Sequence, residues 1–244
     1  MRRLALVLLL APLALGAQEL RVLSGGAAKS LVEPLARSFP QAKVEVRFQP
    51  MGPLVESLSA SRQGGAAVDL VIVTEETLAR LEREHLVKPG ARPIARVGIG
   101  VAVNEKAPLP DITTVDGFRR TLLAAKSVVY IDPKIGTSGK HVAEVLERLG
   151  IAAEVNAKAR LGQGGYIVEP VGRGEIELGI HQISEILPVK GVKLAGPLPP
   201  ELQKYTTYVA APVGESRLAL DFIGYLTGPQ ARAALPQAGY TVPE

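Results

Sequence analysis

Four short stretches of this chain place glycine or hydroxyl residues between a strand-length apolar run and a helix-length segment. They are Ser24-Gly25-Gly26-Ala27-Ala28, Gln49-Pro50-Met51-Gly52, Thr74, and Gly136-Thr137-Ser138-Gly139-Lys140-His141. The first backbone N–H groups of a helix have no partner within it, so a helix start attracts an anion, and nearby Ser or Thr hydroxyls and closely approaching glycines strengthen the pocket. The chemistry implied is capture of an oxyanion or carboxylate. Taken one at a time, the same residues also read as structure: Ser24, Thr74 and Thr137 as helix caps, and the glycines as tight turns.

Sharper motifs fail on spacing. Gly25 to Ser30 resembles a phosphate loop, but Ala28 stands where the glycine before Lys-Ser is required, and the motif's first glycine falls on Leu23. In Gly136-Thr137-Ser138-Gly139 the closing glycine comes one residue too early for a nucleophile elbow. His85, His141 and His181 have no close ligand spacing, which argues against bound zinc. No cofactor is expected. His85, near a helix end, reads as a surface residue favoured by the helix dipole.

The elements that must position these loops alternate between strand and helix. Strands are expected at 20–24, 43–48 and 69–73, and helices at 27–38, 53–63 and 75–85, with Pro34 a misfit inside the first helix. Residues 89–96 read as a break. A second block then runs through strand 97–103, helix 114–124, strand 127–131, helix 138–149, strand 156–161, helix 166–173, strand 176–181 and strand 192–195. YTTYVAAPV and helices 215–227 and 229–236 are too small for a third domain. The expectation is an α/β protein of two lobes, each a mainly parallel sheet flanked by helices: residues 18–96 plus 207–244, and residues 97–206. The four loops then face a cleft between the lobes.

Residues 1–17, MRRLALVLLLAPLALGA, read as a secretory signal peptide, which implies export to a periplasm. Removing them leaves 26 Lys and Arg against 24 acidic residues, a net charge of +2. That near neutrality, the lack of a basic block and 4% aromatic residues argue against nucleic acid. The absence of Cys excludes a disulfide framework, a thiolate metal site and a lipidated N-terminal cysteine. With 47% hydrophobic residues in 244, the chain has apolar content for real cores.

LRVLSGGAAKSLVEPLARSF, VDLVIVTEETLARL, the stretch from Gly98 to Pro133, HVAEVLERLGI and the stretch from Gly172 to Gln203 together resemble exported solute-binding proteins of the molybdate-binding type. The resemblance implies the two-lobed type II periplasmic binding protein fold, and a monomer that passes a small anion to an ABC permease. It places ligand contacts at Ser24, Gly25, Gly26, Ala27, Met51, Gly52, Thr74, Thr137, Ser138, Gly139, His141 and Gln182. Where that type has a second-lobe tyrosine, this chain reads Gly179-Ile180-His181-Gln182, and its serine-rich turn is replaced by Gln49-Pro50-Met51-Gly52. The SGG loop, the D-P-x-x-G-x-x-G-x-H run from Asp132 to His141 and QISEILPV resemble a branch that also holds a periplasmic aconitate isomerase.

The ligand therefore stays open between molybdate or tungstate and an organic di- or tricarboxylate, with Lys140, His141, Gln182 and Ser184 available to pair with carboxylates. Function stays open between a carrier without catalytic residues, an isomerase using His141 or His181 as its base, and a sensor without a transporter.

Overall fold

A computed structural model describes residues 18–243; the signal-peptide reading of residues 1–17 lies outside them. Among the described residues no helix is long and apolar enough to cross a membrane.

The first sheet has the order β2-β1-β3-β10-β4, built from β1 (Glu19–Gly25), β2 (Lys43–Gln49), β3 (Leu70–Thr74), β4 (Arg92–Val97) and β10 (Thr206–Pro212). Burial explains the order. In β2, Lys43, Glu45 and Arg47 are exposed while Val44, Val46 and Phe48 turn inward, the alternation of an edge strand; in β3 every residue is buried, as a central strand requires. Helices α1 (Lys29–Ser38), α2 (Met51–Arg62) and α3 (Glu75–Arg83) follow β1, β2 and β3. The chain's last two helices, α9 (Arg217–Leu226) and α10 (Pro229–Ala234), bury Phe222, Ile223, Leu226, Ala231 and Leu235 in the same core.

The second sheet has the order β7-β6-β8-β5-β9, from β5 (Ile99–Asn104), β6 (Val128–Ile131), β7 (Ala159–Gly162), β8 (Leu178–Gln182) and β9 (Val192–Pro197). Around it lie α4 (Val115–Ala124), α5 (Thr137–Arg148), α6 (Ala152–Asn156), α7 (Glu169–Gly172) and α8 (Ile183–Ile186). Leu122, Val128, Leu146 and Val155 are fully buried on one face of this sheet, and Ala102, Val168 and Val171 on the other.

The sheets are mixed rather than mainly parallel. β1, β2 and β3 pair in parallel, as do β6, β7 and β8, but β10 is antiparallel to β3 and β4, and β5 is antiparallel to β8 and β9. The cause is the double crossing of the chain. β4 passes into β5 through Gly98 alone, and β9 returns to β10 through residues 198–205, so each crossing strand joins its new sheet against the local direction. The side-chain amide of Gln203 fastens the crossings together: its Oε1 accepts from Ile99 N–H at 2.9 Å and its Nε2 donates to Ile99 C=O at 2.8 Å.

Other differences are local. The stretch read as a break contains β4, whose Ile94, Ala95 and Val97 are buried despite the flanking Gly and Pro. The helix expected at 166–173 is one turn, and α6 and α8 are short helices that strand-and-helix alternation alone does not reveal. α1 does run through Pro34.

Candidate functional site

The ends of β1, β2, β6 and β8 meet the two-sheet boundary around a cavity of about 200 Å³. Three helix starts open onto it: the 3₁₀ turn Gly26–Ala28 that leads into α1, the first turn of α2 at Met51, and the first turn of α5 at Thr137 and Ser138. α5 brings unpaired N–H groups, whereas α2 brings fewer, because Pro53 at its third position has none.

Of the residues named from sequence, Gly26, Ala27, Gln49, Pro50, Met51, Gly136, Thr137, Ser138, His181 and Gln182 line the cavity. The others do not. Ser24 is fully buried within β1 and its hydroxyl donates to Gly25 C=O. Gly25 packs where a Cβ would lie 2.5 Å from Met51 Cε and 2.7 Å from a Tyr208 ring carbon. Thr74 caps α3, accepting from Thr77 N–H at 3.2 Å. Gly139 is needed beneath α5, where a Cβ would come 2.0 Å from the Ile131 carbonyl oxygen. Gly52 and the exposed Lys140 face an adjoining, more open groove. His141 is turned into the core, its Nε2 2.7 Å from the Leu202 carbonyl oxygen and its Nδ1 3.8 Å from Glu144. Ser184 donates to Ala27 C=O at 2.8 Å, tying α8 to the first lobe.

Sequence reasoning missed Lys29, Tyr166, Glu185 and Tyr208, all of which line the cavity. Lys29 is the first residue of α1, and its ammonium lies 5.0 Å from the Tyr166 ring centre and 5.7 Å from that of Phe48. Two aromatic faces hold it in the cavity with its N–H donors available to an anion. No spacing rule finds Lys29, because Tyr166 comes from the other sheet's connections.

Glu185 is 7% exposed and stands at the lobe boundary: a Cβ on Gly26 would lie 2.9 Å from its Oε1. His181, 1% exposed, lies between two partners, with Nδ1 3.3 Å from Ser138 Oγ and Nε2 3.1 Å from Glu185 Oε2. The second approach is close but poorly aligned, so Nε2 has no true hydrogen bond. Tyr208 crosses from β10 toward Thr137. Burial pushes its hydroxyl well above the usual tyrosine range, the Glu185 charge and Tyr240 add to this, and the Thr137 hydrogen bond works the other way.

Gln49 Oε1, His181 Nε2 and Gln182 Oε1 are the buried side-chain polar atoms without a hydrogen-bond partner among the described residues, and all three residues line this cavity. Such atoms are costly unless something fills the space between them. Among the described residues no group of three or more His, Asp or Glu could hold a metal ion. The cavity thus combines one ammonium, one carboxylate, one imidazole, two amides, two hydroxyl-bearing residues of α5 and two phenols around a space the size of a small organic anion.

A two-sheet protein with crossing strands and a polar cavity at the boundary is a solute-binding protein in architecture. Residues 20–241 match the family model described as bacterial extracellular solute-binding protein, and the chain belongs to that family. It is 31% identical over 229 residues to an aconitate isomerase of Pseudomonas sp, spanning 90% of this chain and 86% of the relative. It is 26% identical over 226 residues to the molybdate-binding protein ModA of Escherichia coli strain K12, spanning 88% and 87%. Among solved structures, the periplasmic molybdate-binding protein of Azotobacter vinelandii superposes with a TM-score of 0.75 at 18% identity, covering 92% of this chain and 100% of that one. PEB3 bound to L-phospholactate gives a TM-score of 0.68 at 14% identity, with the same coverage. The fold is the two-lobed one of the molybdate-binding type.

Proposed function

We propose that the protein is a periplasmic receptor for a small organic polycarboxylate, delivered by the monomer to an ABC permease. The observation that carries this reading is the convergence of three unpartnered buried polar atoms on one cavity that also holds Lys29 and the start of α5. A carboxylate placed against Lys29 and the α5 amides gains charge-assisted hydrogen bonds, and the amides of Gln49 and Gln182, whose unpartnered Oε1 atoms are acceptors, bond further oxygens of the same ligand by turning their Nε2 donors toward it. Glu185 favours an organic acid over molybdate or tungstate, since a polycarboxylate can turn a CH₂ or hydroxyl group toward that side chain whereas a tetrahedral oxyanion presents an oxygen in every orientation. In this reading residues 18–96 with 207–244 and residues 97–206 close as two lobes about the crossings beside Gln203, residues 1–17 direct export, and Gly26, Ala27, Lys29, Thr137, Ser138 and Gln182 hold the ligand.

A second reading, isomerisation of a bound tricarboxylate, is supported by the relatedness to an aconitate isomerase and by two proton-carrying side chains in the cavity.

A thermal-shift panel of citrate, tricarballylate, both aconitates, molybdate, tungstate and sulfate tests the ligand class. A ligand at one hundred times its Kd adds about 2.7 kcal/mol, which raises Tm by about 5–11 °C in a chain of this size. Stabilisation by the tricarboxylates is the expected result; stabilisation by molybdate or tungstate alone overturns the reading.

A further inference from the structure

A receptor that only captures an anion needs hydrogen-bond donors, and a buried carboxylate facing the ligand works against it. This cavity nevertheless holds Glu185, and holds it with care. Its Oε1 reaches the lobe boundary because residue 26 is glycine, and its Oε2 is 3.1 Å from His181 Nε2. His181 is oriented from its far side by Ser138 Oγ, 3.3 Å from Nδ1, on the first turn of α5. Both side chains are more than nine-tenths buried, and both line the space that Lys29 and the α5 start make suitable for carboxylates. His141, the other histidine near this region, faces Leu202 and the core. A proton acceptor, a second group able to share its proton, and one ammonium with the α5 N–H groups for developing negative charge thus surround one small cavity, the set that carbon-acid chemistry requires.

We propose that Glu185 is a catalytic base that moves a proton between two carbons of a bound unsaturated polycarboxylate, with His181 as its positioning residue. This rests on the reading of the cavity as a polycarboxylate site. The C–H bond on a carbon flanked by a carboxylate and a C=C bond breaks, its proton passes to the Glu185 carboxylate, and its electron pair spreads through the C=C unit onto the ligand's carboxylates. Lys29 and the first N–H groups of α5 face that charge. Glu185 then returns the proton to the far carbon of the C=C unit, a new C–H bond forms and the double bond shifts by one position. The base is regenerated, and neither oxidant, reductant nor cofactor is consumed. His181, its Nε2 3.1 Å from Glu185 Oε2, stands beside the carboxylate and aligns to hydrogen-bond with it as it changes charge, while Ser138 orients the ring.

The test incubates the mature protein with cis- or trans-aconitate in D₂O, follows deuterium incorporation and isomer composition by proton NMR, and measures binding of tricarballylate, a saturated analogue without the activated C–H, by calorimetry. The expected result is deuterium uptake and interconversion by the wild type. Glu185→Gln loses about 100-fold or more in exchange while still binding tricarballylate, which also shows that the variant is folded. His181→Asn lowers the exchange rate without changing tricarballylate affinity more than threefold, a split that a purely structural role does not produce. His85→Asn, at an exposed left-handed position outside the cavity, leaves exchange unchanged. Binding without exchange in the wild type overturns the proton transfer and leaves the receptor reading intact. Exchange that persists in Glu185→Gln overturns Glu185 as the base. Absence of any tricarboxylate binding overturns the ligand class and the proposal together.

Discussion

Replacing Lys29 by Met removes the cavity's ammonium while keeping an unbranched side chain to pack between the Tyr166 and Phe48 rings. Its partners in the unliganded chain are those two rings, so the stability lost on substitution is that of a partly exposed cation–π contact, about 0.5–1 kcal/mol, or about 1–4 °C in Tm. The effect on binding is larger. A hydrogen bond to a charged group contributes about 1.5–3 kcal/mol, so a tricarboxylate such as tricarballylate should bind about 10- to 150-fold more weakly to Lys29→Met. Calorimetric titration of both proteins at low and at high salt reads this directly, and the wild type should lose more affinity with salt than the variant because one more charge takes part. Affinities within threefold of each other at low salt would refute Lys29 as the ligand's cation, and with it the view that two aromatic faces hold it there for that purpose.

Gly139→Ala should destabilise by at least the upper part of the overpacking range, about 3 kcal/mol or some 6–12 °C in Tm, because the new Cβ meets the Ile131 carbonyl rather than a side chain that can swing away; a melt within 2 °C of wild type contradicts this. His141→Gln should leave tricarboxylate affinity within threefold, since the ring bonds Leu202 C=O outside the cavity, and a tenfold loss by calorimetry would return His141 to the site. Tyr208 and Tyr240 both hold their protons above the usual tyrosine range, chiefly through burial. Their stabilisation is full below about pH 10, where unfolded tyrosine titrates, and falls as pH rises toward the folded values, by about 1.4 kcal/mol per pH unit for each ring. Urea melts between pH 9 and 11 should show Tyr240→Phe with a shallower alkaline loss than wild type; parallel curves contradict the assignment.

Much of the fold was legible because local pattern and final burial agree. The alternation in Lys43–Gln49 marks an edge strand, the unbroken apolar run of Leu70–Val73 marks a central one, and α1, α3, α4 and α5 lie close to where their periodicity places them. What was not legible depends on long-range topology. Nothing within Arg92–Val97 or Thr206–Pro212 says that β10 will lie antiparallel between β3 and β4, because strand direction is set by two crossings more than a hundred residues apart. The site divides in the same way. Glycine and hydroxyl residues at Gly26, Thr137 and Ser138 advertise helix starts and do line the cavity. Ser24, Thr74 and Gly139 share that local signature, but their side chains or missing side chains serve β1, α3 and the packing under α5. Lys29 and Glu185 were overlooked because a charged residue in an amphipathic segment resembles a solvated surface position, and only the apposition of the two lobes turns both inward. Of the three histidines, His181 reaches the cavity, a distinction that depends on which way one residue of β8 points.

The most direct measurement is a crystal structure of the protein grown with tricarballylate. A polycarboxylate receptor should show the ligand in the cavity between the sheets, one carboxylate on Lys29 and the first amides of α5, and the amides of Gln49 and Gln182 turned toward its remaining oxygens. A ligand bound elsewhere, or a cavity that takes molybdate and leaves tricarballylate in solution at millimolar concentration, would contradict it.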